Sequence, residues 1–411
     1  MTAANPVTET SVPPLRRAFP RRGARERALK LAGMIRHGEL VLVLPDGTTH
    51  RVVGDRPGPS ATVELKRLRA VRRLAFGGSL GWAEAWLNEE WRTPDLRAVM
   101  ALAAANEAEW RRLLRGRPLA RLVSLLVHAL RPNTRRGARR NIASHYDLGN
   151  DFYAAWLDPT LTYSSAEFAD PAEPLEAAQQ RKVRNLLAAL ALAPGARILE
   201  IGCGWGFLAE TAAREFGLRV VAITLSKRQF DYASARIAAA GLGDRVEVRL
   251  QDYRDVRGSF DGIVSCEMFE GVGERYWPVF FRILRDRLRA GGLAVLQVIT
   301  IANRLFDDYR RGADFIQRYV FPGGKLPSPS RLRQEVGRAG LVWQGETWFG
   351  SSYAATLACW LDRFREAWPT LAASGRYDDR LRRLWEYYLL YCETGFRAGW
   401  LDVGRIVLAR P

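Results

Sequence analysis

The segment 199–206, LEIGCGWG, contains the residues best suited to chemistry in this chain. Its apolar first half predicts a buried strand that ends near Glu200, and Gly202, Gly204 and Gly206 predict a tight turn into a helix. Glycine has no Cβ, so such a turn can adopt positive φ and lets a ligand lie against the backbone, beside the unpaired N–H groups of the helix. The segment predicts a site for a nucleotide-like cofactor, the alternative being a turn of an ordinary α/β domain.

The glycine spacing argues against a nicotinamide dinucleotide. That fingerprint is G-x-G-x-x-G after a strand, and Phe207 stands here in place of the third glycine. The next apolar segment, 219–223, runs into Thr224 and Leu225 without a carboxylate for a ribose diol. A G-x-G-x-G turn resembles instead the first motif of class I S-adenosylmethionine methyltransferases, whose cofactor has no pyrophosphate.

The turn belongs to an alternating pattern of strands and helices, which is typical of a Rossmann-like, doubly wound α/β sheet. Strands are predicted at 197–201, 219–224, 245–250, 261–265 and 292–299. Ligands of such sheets bind beyond the carboxyl ends of the strands. We therefore expect the five strand ends, 200–206, 224–226, 251–253, 265–270 and 297–300, to form one neighbourhood.

With 411 residues the chain is long enough for more than one domain. Residues 1–25 are rich in Pro and Arg and are predicted to be a disordered tail, and 26–130 a smaller N-terminal α+β domain. That domain begins with a hairpin over 39–53 and continues with helices, one of them capped by Thr93. A basic linker is predicted at 131–144, followed by the catalytic domain at 145–411.

The net charge of +18, from 62 basic and 44 acidic residues, predicts an anionic partner, either a membrane surface or nucleic acid. Basic residues concentrate in 16–30, 66–73 and 131–140, the last directly after an amphipathic segment at 119–130. That pairing is typical of a membrane-surface element, the alternative being a solvated helix with a linker. The four cysteines lack metal-site spacing, and no secretion signal or spanning segment is evident. We expect a cytoplasmic protein, peripheral at the inner face of the membrane.

Several further motifs carry a resemblance to one family. They are HYDLGN at 145–150, LDP at 157–159 with TYS at 162–164, EIGCGWG at 200–206, TLS at 224–226 with Gln229, DYRD at 252–255, MFE at 268–270, FIQRYVFPG at 315–323 and YCETGF at 391–396. In combination they resemble the cyclopropane-fatty-acyl-phospholipid synthases and their mycolate-type relatives. Segment 78–96 resembles the N-terminal domain of the longer bacterial synthases.

The resemblance implies methylene transfer from S-adenosylmethionine to a cis double bond of a phospholipid acyl chain at an anionic membrane surface. It implies cofactor contacts by Tyr163, Ser164, Glu200, Gly202, Gly204, Gly206, Thr224, Leu225, Gln229, Asp252 and Tyr253. It implies a bound bicarbonate as the base, in a pocket formed here by Ser165, Glu270, Gln297, Ile299 and Tyr353. Candidate walls for the acyl chain are Phe269, Phe315, Tyr319 and Phe321, with core packing as the alternative for each. No metal is implied, and a homodimer is an open alternative.

This chain departs from the family at three places near the anion pocket. Ser165 replaces a cysteine, Gln297 replaces a histidine, and Gly271 replaces the histidine after the glutamate. Ser and Gln can bind an anion but cannot titrate near neutral pH. A changed base would favour a methylene or methyl-branched product over a ring. Two other hypotheses about the function stay open, a nucleic-acid methyltransferase and a non-catalytic lipid-binding relative.

Overall fold

The computed structural model describes residues 21–114, 134, 137–138 and 148–411. The predicted amphipathic segment 119–130, most of the predicted basic linker 131–144 and the histidine at 145 lie outside these described residues. The first helix begins at Arg21, so the predicted end of the disordered tail at residue 25 falls inside a helix.

The N-terminal domain combines a small sheet with helices. Its elements are α1 (Arg21–Ala32), β1 (His37–Val43), β2 (Thr49–Val53), β3 (Arg56–Leu65), α2 (Arg69–Leu87), β4 (Trp91–Arg92), α3 (Leu96–Ala105) and α4 (Glu107–Leu114). The hairpin of β1 and β2 is confirmed, but the sequence analysis missed β3 and β4 and predicted only helices there. The sheet order is β2-β1-β3-β4, with β1 and β3 parallel.

The cap predicted for α3 was wrong by two residues. The side chain of Asp95 accepts a hydrogen bond from the backbone N–H of Ala98, whereas the Thr93 hydroxyl accepts from Asp95 N at 3.1 Å. A carboxylate directly before the first helical residue satisfies the free N–H groups there and favours the helix dipole, so Asp95 is the cap.

The second domain is built on a seven-stranded sheet. Its strands are β5 (Arg197–Ile201), β6 (Arg219–Thr224), β7 (Val246–Leu250), β8 (Phe260–Cys266), β9 (Leu288–Ile301), β10 (Val342–Trp348) and β11 (Leu401–Ala409). Its helices are α5 (Asn150–Ala154), α6 (Leu175–Ala188), α7 (Phe207–Glu215), α8 (Lys227–Ala239), α9 (Trp277–Arg287), α10 (Asn303–Arg310), α11 (Phe315–Tyr319), α12 (Pro329–Arg338), α13 (Gly350–Ala373) and α14 (Asp379–Arg397).

The strand order is β10-β11-β9-β8-β5-β6-β7. Strands β9, β8, β5, β6 and β7 run parallel, and β11 pairs antiparallel with both β9 and β10. The predicted α/β fold and all five predicted strands are confirmed, with β8 and β9 longer than expected. The order reverses at β5, so the crevice at its carboxyl end is the place where this topology binds ligands.

The two domains share one apolar core, which contains residues of α2 and α3 together with α13 and α14. At the boundary the indole N–H of Trp86 donates to the backbone carbonyl of Arg383 at 3.1 Å. Arg97 also donates to the buried carboxylate of Glu393 at 3.1 Å. These contacts hold α2 and α3 beside α14 and hence against the second domain.

Part of the basic cluster at 66–73 serves the fold. Arg69 and Arg73 both bind the fully buried Glu90, and Arg73 also binds Glu84 at 2.9 Å. A buried carboxylate needs such partners to offset its desolvation. Within the described part of the chain, no helix is both long and apolar enough to cross a bilayer.

Candidate active site

A cavity of about 600 Å³ lies at the carboxyl ends of the parallel strands. It reaches from the glycine turn after β5 to α3 of the N-terminal domain, where Leu96, Val99, Met100 and Ala103 line it. All five predicted strand ends contribute residues to the cavity wall, and the fifth contributes Ile299. The predicted neighbourhood is therefore a single space that both domains enclose.

The glycine turn has the backbone that the sequence predicts. Gly202, Gly204 and Gly206 have φ values of 88°, 51° and 88°. A Cβ at Gly202 would lie 2.9 Å from the side chain of Met268, so this position admits no larger residue. Gly202 and Gly204 line the cavity, and Gly206 begins α7 as its left-handed N-cap.

Glu200, at the end of β5, brings a buried carboxylate to the same wall. It is 3% exposed, and its Oε2 has no hydrogen-bond partner among the described residues. Burial raises the pKa of Glu200 to about 8 against the opposing charge of Lys182. A buried acceptor aimed at a cavity fits a ligand with a cationic N–H donor, and the amino group of S-adenosylmethionine is one.

The ends of β6 and β7 complete the side of the cavity expected to hold the cofactor. Thr224 donates to the Gln229 side chain at 2.8 Å, and both residues line the cavity together with Leu225 and Tyr253. Asp252 is not on the wall, because its carboxylate forms an ion pair with Arg254 at 2.6 Å. Asp252 thus shapes the loop that presents Tyr253.

Tyr163 and Ser164 lie on the opposite side of the turn. The Tyr163 hydroxyl is 2.9 Å from that of Tyr388, and the Tyr163 ring lines the cavity. The Ser164 hydroxyl accepts from the ammonium of Lys182 at 2.6 Å. Lys182 is 1% exposed, and the sequence analysis did not single it out.

The predicted anion pocket surrounds a carboxylate of the chain itself, that of Glu267. The backbone N–H of Ser165 and the side-chain amide of Gln297 donate to its Oε1 at 2.8 and 2.7 Å. The Tyr353 hydroxyl donates to Oε2 at 2.7 Å. The hydroxyl of Ser165 instead donates to the carbonyl of Ala166, so Ser165 acts through its backbone.

Glu267 also has an unusual backbone. Its φ of 48° is in the left-handed region, which residues other than glycine adopt rarely. Its N–H donates to the carbonyl of Gln297 at 2.9 Å, which holds the turn in that form. Such strain persists where surrounding contacts enforce it and is concentrated at functional sites.

Glu270 lies three residues further on and has a different environment. Its Oε1 accepts from the backbone N–H of Ile299 at 2.5 Å, while Oε2 has no partner among the described residues. Burial, and then the nearby charge of Glu267, raise the pKa of Glu270 to about 8. Burial also raises the pKa of Glu267, but Tyr353, Lys182, Ser165 and Gln297 oppose that shift. The hydrogen bonds and the cation around Glu267 therefore favour its ionised form more than the surroundings of Glu270 do.

Of the four aromatic residues predicted to line the acyl site, the structure places only Phe321 on the cavity wall. Phe269 packs among Trp277, Phe280 and Phe281 in the core of the sheet domain. Phe315 packs against Tyr387 with tilted rings and 4.8 Å between ring centroids, and the hydroxyl of Tyr319 donates to Glu84 across the domain boundary. Other aromatic residues line the cavity beside Phe321, among them Tyr163, Tyr353, Tyr387, Tyr388 and Tyr391.

Two site residues escaped the sequence analysis although a signal existed for each. Glu267 precedes Glu270 in CEMFE, and two carboxylates after one strand end are a pattern for paired acid and base roles. Lys182 lies in α6 on the same face as buried Ala178, Val183 and Leu186, where a lysine is unexpected. In the described residues, no group of three or more His, Cys, Asp and Glu is placed to hold a metal ion.

A mainly parallel seven-stranded sheet with this order, carrying a glycine-rich turn after its first strand, defines the class I S-adenosylmethionine-dependent methyltransferase fold. Residues 133–406 match the sequence model of the mycolic acid cyclopropane synthetase family. The chain belongs to this family and is an S-adenosylmethionine-dependent methyltransferase.

Three relatives illustrate the similarity. The tuberculostearic acid methyltransferase UfaA1 of Mycobacterium tuberculosis is 40% identical over 91% of this chain and 88% of its own length. The cyclopropane-fatty-acyl-phospholipid synthase of Escherichia coli is 34% identical over 85% and 88%. The crystal structure of mycolic acid cyclopropane synthase CmaA1 with SAH and CTAB superposes with a TM-score of 0.61 at 30% identity, covering 66% of this chain and 97% of that protein.

Proposed function

We propose that this enzyme methylates a carbon of a cis double bond in the acyl chain of an unsaturated phospholipid. The observation that carries the proposal is the carboxylate of Glu267, which three donors hold beside an apolar cavity that also contains the cofactor turn. An alkene is a weak nucleophile, so its methylation needs a dry, apolar site and a nearby base.

S-adenosylmethionine, when bound, supplies an electrophilic methyl group and leaves as S-adenosylhomocysteine. The residues that line the cavity fit this cofactor. Gly202 and Gly204 let it approach the backbone, Glu200 offers a carboxylate to its amino group, and Gln229 and Tyr253 line the adjoining wall. Tyr163, Thr224 and Leu225, which are also proposed as contacts from the family, line the same space.

The residues of the chain then manage a cation in the acyl chain. As the π electrons of the alkene form the new bond to the methyl carbon, the adjacent carbon becomes positive. The faces of Tyr163 and Phe321 stabilise that charge, together with the Glu267 carboxylate. Glu267 takes a proton from the added methyl group and becomes a carboxylic acid, while the electrons of the broken C–H bond form the last carbon–carbon bond.

The timing of that proton transfer decides the product. Immediate loss of the proton closes a cyclopropane. If a hydride first shifts from the methylated carbon to its positive neighbour, loss of the proton gives a methylene branch, C=CH₂, on the open chain. Both products contain one CH₂ more than the substrate. We propose the methylene-branched chain, because the base here differs from the bicarbonate of the family and because the relative at 40% identity is a tuberculostearic acid methyltransferase. Reduction to a saturated methyl branch needs a hydride donor and lies outside this proposal.

A separate bicarbonate does not fit the pocket that the resemblance assigned to it. The donors of Ser165, Gln297 and Tyr353 all bind Glu267, and a further anion there would meet the carboxylate at close range. We therefore derive no step through bicarbonate. Glu270 contributes a neutral carboxyl group beside the base, and Ile299 orients it through its N–H.

The substrate's location at an anionic membrane surface is supported by the net charge of +18 and by an apolar cavity that extends into the N-terminal domain. Cytoplasmic, peripheral attachment and a homodimer remain predictions. A vesicle flotation assay with anionic and neutral lipids, run beside RNA and DNA shift assays, tests the partner. Stronger salt-sensitive binding to nucleic acid than to anionic vesicles would favour the nucleic-acid alternative.

The decisive experiment supplies the purified enzyme with S-adenosylmethionine and vesicles of monounsaturated phosphatidylglycerol. Mass spectrometry of the acyl chains is expected to show a gain of one CH₂, and ozonolysis to cleave the product as a branched alkene. A product that gains CH₂ but resists ozonolysis would be a cyclopropane. That result would overturn the proposed methylene branch but not the proposed methyl transfer to the double bond. No mass gain with active cofactor binding would overturn the proposed function.

A further inference from the structure

Lys182 is a buried cation that no step above uses. It lies on α6, is 1% exposed and lines the cavity, so its ammonium group is withdrawn from solvent. Its ammonium group donates to neutral groups, the Ser164 hydroxyl at 2.6 Å and the Cys266 thiol at 3.6 Å. An isolated ammonium in such a place costs several kcal/mol unless negative charge compensates it.

Ionisable groups on three elements around Lys182 interact with its charge. The carboxyls of Asp158, Glu200 and Glu267 each interact with its charge, and so does the Cys266 thiol. Asp158 lies in the loop after α5, Glu200 at the end of β5 and Glu267 after β8. One ammonium group thus stands between the cofactor side of the cavity and the proposed base.

A short chain of bonds also joins Lys182 to Glu267. Lys182 and the thiol of Cys266 both donate to the hydroxyl of Ser164, and Gln179 donates to the Ser164 carbonyl at 2.8 Å. The next residue, Ser165, gives its N–H to Glu267. Fixing Ser164 therefore also fixes one of the three donors that hold the base.

We infer that Lys182 is a positioning residue for the proposed transfer, which keeps Glu267 ionised and holds the segment of Ser164 and Ser165 against it. This inference rests on the proposed function. Glu270 provides the internal contrast. Its carboxyl lies in the same loop, but among the described residues its donors are backbone N–H groups and no cation sets its charge, and its pKa is raised to about 8.

The test replaces the charge and follows the pH dependence of kcat. The titratable groups that face Glu267 are Lys182 from α6, Tyr353 from α13, and Cys266 and Glu270 from its own segment. Without the ammonium group, Glu267 should hold its proton to higher pH. We expect Lys182→Met to move the acidic limb of the kcat profile up by about one pH unit and to lower kcat at neutral pH about tenfold.

Lys182→Arg retains the charge and is expected to restore the position of the acidic limb. Lys325→Met is a matched control, because it also removes a buried cavity lysine, one whose charged neighbours are Asp314, Glu274 and Arg310. The Lys325→Met substitution can lower kcat, but the acidic limb of its kcat profile should stay at the wild-type pH. If Lys182→Met does not fold, Lys182→Gln carries the same test, since it lacks the charge but keeps a donor for Ser164.

A wild-type acidic limb in Lys182→Met would overturn the inference. A loss of cofactor affinity with unchanged kcat at saturating cofactor would overturn it as well, because it would assign Lys182 to ground-state binding. The unmodified enzyme is assayed first in the same vesicles. Failure of that enzyme to add CH₂ counts against the proposed function, whereas product with an unshifted Lys182→Met profile counts only against the role of Lys182.

Discussion

The hydroxyl of Tyr353 donates a hydrogen bond to Oε2 of Glu267 at 2.7 Å, although 86 residues separate the two in sequence. Tyr353 lies in the first turn of α13 and Glu267 directly after β8. This bond holds α13 against the carboxyl end of β8 and stabilises the charged form of the carboxylate. It also makes the geometry of the proposed base depend on how α13 packs.

Glu267→Gln is expected to lower kcat by about 10²- to 10⁴-fold, because the amide cannot accept the proton of the added methyl group. Cofactor affinity, measured by calorimetry, should change little. Tyr353→Phe removes one of three donors and should cost about tenfold or more. Glu274→Gln is the control, since that carboxylate faces Arg310 outside the pocket. Normal turnover by Glu267→Gln would remove Glu267 from the mechanism.

Gly202→Ala is expected to abolish cofactor binding. The new methyl group would lie 2.9 Å from Met268, on the wall that the cofactor must approach. Gly195→Ala is a matched control, because Gly195 has a similar φ of 86° but open space around its Cβ position. Both variants should lose about 1–2 kcal/mol of stability from backbone strain, but only Gly202→Ala should lose affinity for the cofactor in calorimetry. Equal affinities in the two variants would argue against the turn as the cofactor site.

Ala103→Phe is expected to change which acyl chains react. Ala103 lines the cavity from α3, so a phenyl ring there would shorten the apolar space. Ala105→Phe places the same ring on the exposed side of the same helix. Mass spectrometry on vesicles of mixed chain length should show a shift toward shorter products for Ala103→Phe alone. Identical chain-length profiles for both variants would separate the N-terminal domain from acyl binding.

Glu270→Gln is expected to flatten the pH dependence of stability without cofactor. The pKa of Glu270 is raised from 4.5 to about 8, so between these values the folded protein keeps a proton that the unfolded chain releases. The free energy of unfolding therefore falls as pH rises across this window, by up to about 1.4 kcal/mol per pH unit for this group. Urea unfolding at several pH values should show a shallower fall for Glu270→Gln, with Glu200 still contributing. An unchanged slope would show that Glu270 ionises normally.

The residues on the side of the cavity expected to hold the cofactor could be predicted from the sequence because their signals are local. Three glycines after an apolar strand, and the polar residues at successive strand ends, have fixed positions once the sheet is parallel. The acyl half did not follow in the same way. Their motifs predicted that both Phe269 and Phe321 line the acyl site. Phe269 instead packs in the core of the second domain, and Phe321 lines the cavity.

The sequence by itself determined the parallel sheet, the cofactor turn and the family, because periodicity, glycine spacing and motifs are properties of short segments. Only the tertiary structure showed that the donors of Ser165, Gln297 and Tyr353 all bind the carboxylate of Glu267. It also decided that Lys182 faces three carboxyls and that α3 closes the cavity. The reason is physical: these relationships join distant segments, and which buried charge meets which donor is set by the packing of helices against the sheet.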